Sequence, residues 1–182
     1  AAQNLEAAAA LVTKTETQYE DAKSVHGVAS DAQKKAASAK HDAMNAVSDA
    51  ELHLKNARLV LSNQKDRATN ARAEYNRASK DNRMQLLTEV KLAEGDVSTA
   101  QEKLNSVKAT VKRAKAKLKA ATATEDGKNA AVVQTTDKLE SAKTAYETAR
   151  TELNRDKARR KFVHERHAKI RTSQQQATKK LE

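Results

Sequence analysis

The second half of the chain carries apolar residues that alternate between three and four positions apart, from Val90 to Leu181. A mean spacing of about 3.5 residues holds a narrow stripe of one helix against a partner helix while both supercoil. The pattern therefore predicts a coiled coil, and we expect the first half of the same chain to supply the partner helix. We call these repeating positions the seam; its clearest members here are Val90, Ala93, Val97, Ala100, Leu104, Val107, Val111, Ala114 and Leu118.

The first half of the chain carries a matching series that begins at Leu5 and ends near Ala78. Large residues occupy most of one repeating position and Ala occupies most of the other, as in Val47, Ala50 and Leu54. Helices with this alternation can approach closely, because the bulky layer of one fills the small layer of the other. We therefore predict that the two halves pack against each other in antiparallel orientation.

The register of the seam slips by one residue between Asn82 and Val90, so the two series do not join smoothly. Residues that favour the start of a helix lie on both sides of this slip, which predicts a chain reversal between Ser79 and Ser98. The predicted fold is all-α, a long antiparallel coiled-coil hairpin in one elongated domain, with a first arm (1–80), a reversal region (81–98) and a second arm (99–182). Two arms of about 85 residues would each be about 130 Å long at about 1.5 Å per residue.

The strongest turn signal in the sequence, however, is Asp126 followed by Gly127. Glycine accepts a positive φ and aspartate can cap a helix, so this pair is typical of a turn. A turn there, together with one between Ser62 and Asp66, would give an elongated three-helix bundle. We prefer the hairpin, because the seam keeps its register across residues 62–66.

The composition excludes a wide globular core and offers no catalytic motif. The 182 residues include no Cys, Pro or Trp, one Phe and three Gly, and 32% of them are charged. Such a chain can fill a thin seam but not the interior of a compact domain. The sequence has no Gly-rich phosphate loop, nucleophile motif or paired-Cys metal site. We therefore predict a non-enzymatic protein without cofactor or metal, and no stretch is apolar enough for a transmembrane helix.

The net charge of +11 arises beyond residue 60, because residues 1–60 hold seven Lys or Arg against eight acids. One basic cluster consists of Lys103, Lys108, Lys112, Arg113, Lys115, Lys117 and Lys119. A second cluster contains eight basic residues between Arg155 and Arg171. Such side chains either pair with acids on the facing helix or hold a polyanion such as nucleic acid or lipopolysaccharide. We predict an anion-binding surface at Arg155, Arg159, Arg160, Lys161, Arg166, Lys169 and Arg171.

Three large apolar residues, Met84, Leu86 and Leu87, lie close to the predicted reversal. Two adjacent leucines cannot both face one partner helix, because successive helical residues point about 100° apart. The three residues either pack inside the end of the hairpin or form a contact surface. We predict them as the partner-binding tip.

The segment Ala145–Asn154 (AYETARTELN) resembles the helical receptor-binding arms of colicin-type bacteriocins. Residues 55–58 and 71–78 are similar to the same arms. The resemblance implies a long antiparallel helical hairpin within a basic toxin, with a receptor contacted by the arm. The chain departs from that family because the predicted tip lacks an extended loop with glycines and aromatic residues.

We therefore predict a spacer and binding arm, most typical of the receptor-binding or spacer segment of a secreted bacterial toxin. A structural stalk of a bacterial surface protein is one alternative, because Ala-rich stalks resemble residues 138–154. A basic coiled coil that binds nucleic acid is the other. The expected partner is a protein or cell-surface receptor, and self-association is left open. The expected location is secreted or cell-surface, with a cytoplasmic location also left open.

Overall fold

A computed structural model describes residues 2–179 of the chain, and the side chains of residues 4–176. It contains two helices, α1 (Ala2–Arg77) and α2 (Arg83–Lys179), and no strand among the described residues. The two long helices pack against each other, which confirms the prediction of an all-helical fold and of a helical hairpin. Leu181, at the end of the predicted seam, lies outside the described residues.

Both helices are long because the residues within them favour helix. The sequence is rich in Ala, Lys, Glu, Gln and Arg, and it contains no Pro. Hydroxyl side chains inside the helices donate to the carbonyl oxygen four residues earlier. Thr110 donates in this way to Ser106 at 3.2 Å, and Thr151 to Glu147 at 2.8 Å. These hydroxyls therefore find an acceptor while the helix continues.

The chain reverses at residues 78–82. The Asn82 amide donates to the carbonyl oxygen of Ser79 at 3.2 Å, and the Asn82 carbonyl accepts from the amide of Leu86 at 3.2 Å. Asn82 therefore stands at the N-cap of α2, a position that asparagine favours. The interval in which we expected the reversal, residues 79–98, overlaps this turn at its start. The remainder of that interval is helical, because α2 begins directly after Asn82.

The three-helix alternative is wrong, because α2 continues through Gly127. Gly127 has no positive φ, and a Cβ atom added there would meet nothing within 4 Å. Two residues earlier, Glu125 is paired with Lys40 of α1. A turn at Gly127 would leave helical hydrogen bonds unmade without adding a contact. The three-helix alternative also required a turn at residues 62–66, but these residues are helical and lie inside α1.

Contacts divide the chain into two compact units. We call residues 34–127 the turn unit, and residues 1–33 together with 128–182 the terminal unit. The turn unit is built on the apolar seam. Its first buried cluster consists of Ala57, Leu61, Ala100 and Leu104, and its second of Ala50, Val111 and Ala114. The first cluster takes one Ala and one Leu from each helix, and the second takes one Ala from α1 with one Val and one Ala from α2.

The terminal unit has a more polar seam. Gln33 Nε2 donates to Asn129 Oδ1 at 2.8 Å, and the buried Thr15 hydroxyl donates to a carbonyl of the preceding turn at 2.9 Å. The rings of Tyr19 and Tyr146 stack with centroids 6.0 Å apart and an interplanar angle of 2°. Both tyrosines occupy the large-residue position, so two bulky side chains face each other where we expected a bulky one to face Ala. Flat rings accommodate this because they can stack.

Candidate contact surfaces on the turn unit and the terminal unit

The predicted tip residues Met84, Leu86 and Leu87 lie in the first two turns of α2, beside the reversal. We call these three residues the turn surface. Met84 is 77% exposed, whereas Leu86 and Leu87 are each half-buried. Adjacent helical positions diverge by about 100°, so the two leucines cannot both face α1 fully. The turn surface is therefore partly packed and partly open.

Other exposed apolar residues of the turn unit were not predicted as contacts. Leu52, Leu59 and Val60 of α1 and Leu92 of α2 are all exposed. Leu52 and Leu59 are seven residues apart and off the seam, which places both on the outer face of α1. A search for apolar residues that repeat at heptad spacing outside the seam would have found this pair.

Basic side chains of the turn unit form ion pairs with acids on the facing helix. Arg72 Nη2 lies 2.6 Å from Glu94 Oε1, and Lys115 Nζ lies 2.7 Å from Glu51 Oε1. Each of these four side chains remains accessible to water, so the pairs contribute little to stability. Lys115 belongs to the first basic cluster. Of the two roles predicted for these basic residues, Lys115 therefore has the first, since it pairs with an acid on the facing helix.

One ion pair of the turn unit lies in the seam. Lys40 Nζ donates to Glu125 Oε2 at 2.6 Å, and the two side chains are 34% and 18% exposed. The hydrogen bond to Glu125, with the negative charges of Glu125 and Asp126, raises the pKa of Lys40 above its ordinary value of 10.5, although burial opposes the shift. Lys40 is therefore a stable cation at neutral pH, held by a carboxylate of the other helix.

The second basic cluster lies in the terminal unit, near the end of α2. Residues 155–171, which we call the basic segment, hold eight Lys or Arg against two acids. Of the predicted anion-binding residues, Arg160 is half-buried, and the exposed ones are Arg155, Arg159, Lys161, Arg166, Lys169 and Arg171. Among the described residues, no carboxylate forms a salt bridge with these side chains. Their charges are therefore open to an outside anion.

Two kinds of site are not found in the part of the chain that the structure describes. No three or more His, Cys, Asp or Glu side chains come together in a way that could hold a metal ion between residues 2 and 179. Within the same residues, neither helix has a stretch apolar enough to cross a membrane.

No protein-family model, curated protein or solved structure matches this chain.

Proposed function

We propose that the chain is a non-catalytic spacer and binding arm in which α1 and α2 form an antiparallel coiled coil. The contacts of the turn unit support the antiparallel orientation. Arg72 pairs with Glu94, close to the reversal, and Lys40 pairs with Glu125, farther from it. Contacts farther from the reversal thus join residues that are later in α2 to residues that are earlier in α1. The buried clusters at heptad positions support the coiled-coil packing.

The contacts of the terminal unit follow the same trend. Gln33 contacts Asn129, whereas Tyr19, earlier in α1, contacts Tyr146, later in α2. The turn unit and the terminal unit therefore each support the antiparallel orientation independently. The clefts of about 610 and 730 Å³ between the two helices of the turn unit are open widely to solvent, which supports a role in spacing and contact rather than catalysis in an enclosed pocket.

The binding function is carried by the exposure of Met84 beside a short reversal. Leu87 lies three residues after Met84 on the same side of α2 and is only half-buried, so these two side chains form a small apolar group, while the half-buried Leu86 points to the other side of the helix. Methionine is flexible and polarizable, and it adapts to the shape of an opposing protein surface. The turn surface is therefore the part of the chain best suited to contact a protein receptor.

The class of protein that we propose is a secreted bacterial toxin of the bacteriocin kind. The support is the resemblance of Ala145–Asn154 to colicin-type receptor-binding arms, together with the hairpin. In this proposal the partner is a receptor on a cell surface, contacted through the turn surface. The basic segment speeds the approach of the arm to an anionic surface, an effect that falls with added salt.

The test is the binding of the fluorescently labelled full chain to bacterial cells. Leu86→Ser with Leu87→Ser should weaken saturable binding by about tenfold or more, while circular dichroism shows unchanged helix content. Leu59→Ser is the matched control, because Leu59 is an exposed leucine of the same unit that lies away from the turn. Equal binding by all three proteins would remove the receptor-binding function and leave the structural stalk.

The open cations of the basic segment favour a second candidate function, the binding of nucleic acid. Binding through phosphate contacts releases counterions, so affinity for a DNA duplex should fall steeply between 50 mM and 200 mM salt, by about a thousandfold or more for six contacts. Replacing Arg155 and Arg159 by Gln should flatten that salt dependence. Absence of binding at the lower salt concentration would contradict this second function.

A further inference from the structure

One side of the turn unit carries cations from both of its helices. The ion pair of Lys115 with Glu51 marks this side, because both residues directly flank the seam. The side includes these flanking positions and the next ones outward, over residues 48–58 of α1 and 108–119 of α2. Among these eight positions Glu51 is the one acid, and six positions are basic. We call the six basic residues the cation side: Lys55, Arg58, Lys108, Lys112, Lys115 and Lys119.

The pairing of the helices places like charges opposite each other on this side. Arg72 with Glu94, like the ion pair of Glu51, joins residues in the position that flanks the seam. One heptad from Glu51 toward the reversal, the same position holds Arg58 in α1 and Lys108 in α2. Two cations at this position repel each other, where an acid and a base would attract. The repulsion would be relieved by an anion from outside the chain.

Most of these charges have no acid to neutralise them. All six residues of the cation side are exposed. Lys115 pairs with Glu51, but among the described residues no carboxylate forms a salt bridge with the other five. The surrounding part of α2 offers none, because residues 103–124 contain no Asp or Glu. Five cations are therefore open to an outside anion.

The arrangement of these cations favours a flat anionic surface. Packed helices lie about 8–10 Å apart, so the cations of α1 and α2 stand next to each other on the same side. Along α2 they extend over about 16 Å, at about 1.5 Å per residue. A plane can touch all five open cations at once, whereas a nucleic-acid duplex curves away from them. None of the eight positions is apolar or aromatic, so an amphipathic helix finds no stripe to pack on and a base finds no ring to stack on.

We propose that the cation side of the turn unit docks on a lipid bilayer with anionic headgroups, whose phosphate groups contact the five open cations. Each Lys or Arg close to such a surface adds to the affinity, and the attraction falls off within a Debye length, about 10 Å at 0.1 M salt. The contact has no apolar anchor, so added salt reverses it. The inference rests on the proposed antiparallel coiled coil, but not on the turn surface or the basic segment.

The test is the sedimentation of the full chain with lipid vesicles. Vesicles of equal parts phosphatidylglycerol and phosphatidylcholine supply the anionic surface, and vesicles of phosphatidylcholine alone are the control. We expect binding to the mixed vesicles at low salt, a steep loss of binding between about 0.05 M and 0.5 M salt, and no binding to the neutral vesicles.

Two double variants with the same net charge separate the cation side from the charge of the whole chain. Arg58→Gln with Lys108→Gln removes the two opposed cations and should weaken binding to the mixed vesicles by about tenfold or more. Arg113→Gln with Lys117→Gln is the matched control, because these exposed residues lie on the opposite side of α2. Its binding should stay within about threefold of the wild type, since its cations do not face the bilayer. All four side chains are exposed, so the helix content should not change.

Several results would overturn the proposal. One is the absence of binding to the mixed vesicles at low salt; another is an equal loss in the two double variants, which would mean that net charge alone attracts the chain. A DNA duplex that binds more tightly than the vesicles, and that the first double variant weakens, would assign the cation side to nucleic acid.

Two further variants distinguish this surface from those already proposed. Replacing Arg155 and Arg159 by Gln in both double variants should leave the difference between them unchanged, because the basic segment is not part of the cation side. The Leu86 and Leu87 double variant should bind the mixed vesicles like the wild type. Vesicle binding can therefore fail while receptor binding by the turn surface holds, and the reverse.

Discussion

Lys40 and Glu125 form an ion pair inside the seam of the turn unit, with Lys40 Nζ donating to Glu125 Oε2 at 2.6 Å. Both residues occupy heptad positions that hold Leu or Val at other levels of the same seam, such as Leu54 and Val111. A polar pair at such a position selects one register of two helices at some cost in stability. It thus offers a means of aligning α1 with α2 that the apolar contacts do not provide.

The two single substitutions at this pair should lower the melting temperature by different amounts. Lys40→Leu leaves Glu125, which is 18% exposed, without its cation, whereas Glu125→Leu leaves Lys40, which is 34% exposed and can extend toward water. The melting temperature should therefore fall more for Lys40→Leu. The double substitution should restore or exceed the wild-type value, because an apolar pair fits the seam. Thermal melts of the four proteins check this, and equal losses for the two single variants would count against it.

The stabilising effect of Lys40 should depend on pH only under alkaline conditions. Its pKa in the folded state is raised above 10.5 by the hydrogen bond to Glu125 and by nearby negative charge. A raised pKa means that the contribution is fully present below pH 10.5 and is lost as the pH rises through the folded-state value. The difference in melting temperature between wild type and Lys40→Leu should thus be constant from about pH 7 to 9.5 and shrink above about 10.5. A difference that already shrinks near neutral pH would contradict this assignment.

The helices and the seam could be predicted because heptad spacing is a local property of the sequence. Which residue of α1 faces which residue of α2 could not be predicted, since this depends on the length of the reversal. One residue more or less at 78–82 would change every pair, including Lys40 with Glu125. The register slip near Asn82 predicted the region of the reversal but not its shortness.

Burial in the seam should decide the cost of removing a leucine. Leu61 is 7% exposed and belongs to the cluster with Ala100 and Leu104, whereas Leu59, two residues earlier in α1, is 61% exposed. Leu61→Ala should reduce the free energy of unfolding by about 2 to 4 kcal/mol. Leu59→Ala should change it by less than about 0.5 kcal/mol. Urea denaturation followed by circular dichroism measures both, and similar losses would show that the seam has been assigned to the wrong face of α1.

Replacing Gly127 by Ala should stabilise the protein. The glycine lies within α2 without a positive φ, and an added Cβ would meet nothing within 4 Å. Alanine loses less backbone entropy in a helix, so the free energy of unfolding should rise by about 0.5 to 1 kcal/mol. Gly95→Ala is a matched control, because Gly95 is a helical glycine with the same open surroundings in the same helix. If only Gly127→Ala were destabilising, a turn at Gly127 would have to be reconsidered.

Amide hydrogen exchange should be slower in the turn unit than in the terminal unit. Opening a helix locally exposes the side chains that it buries, and the turn unit buries two apolar clusters. The seam of the terminal unit instead includes the amide pair of Gln33 and Asn129, whose hydrogen bond water can replace. Residues 50–61 should therefore be better protected than residues 19–33.

Replacing Gln33 and Asn129 together by Leu should slow exchange around both positions, because apolar contact then replaces a bond that water competes for. Exchange that stays equally fast in this variant would show that polarity of the seam does not limit the stability of the terminal unit.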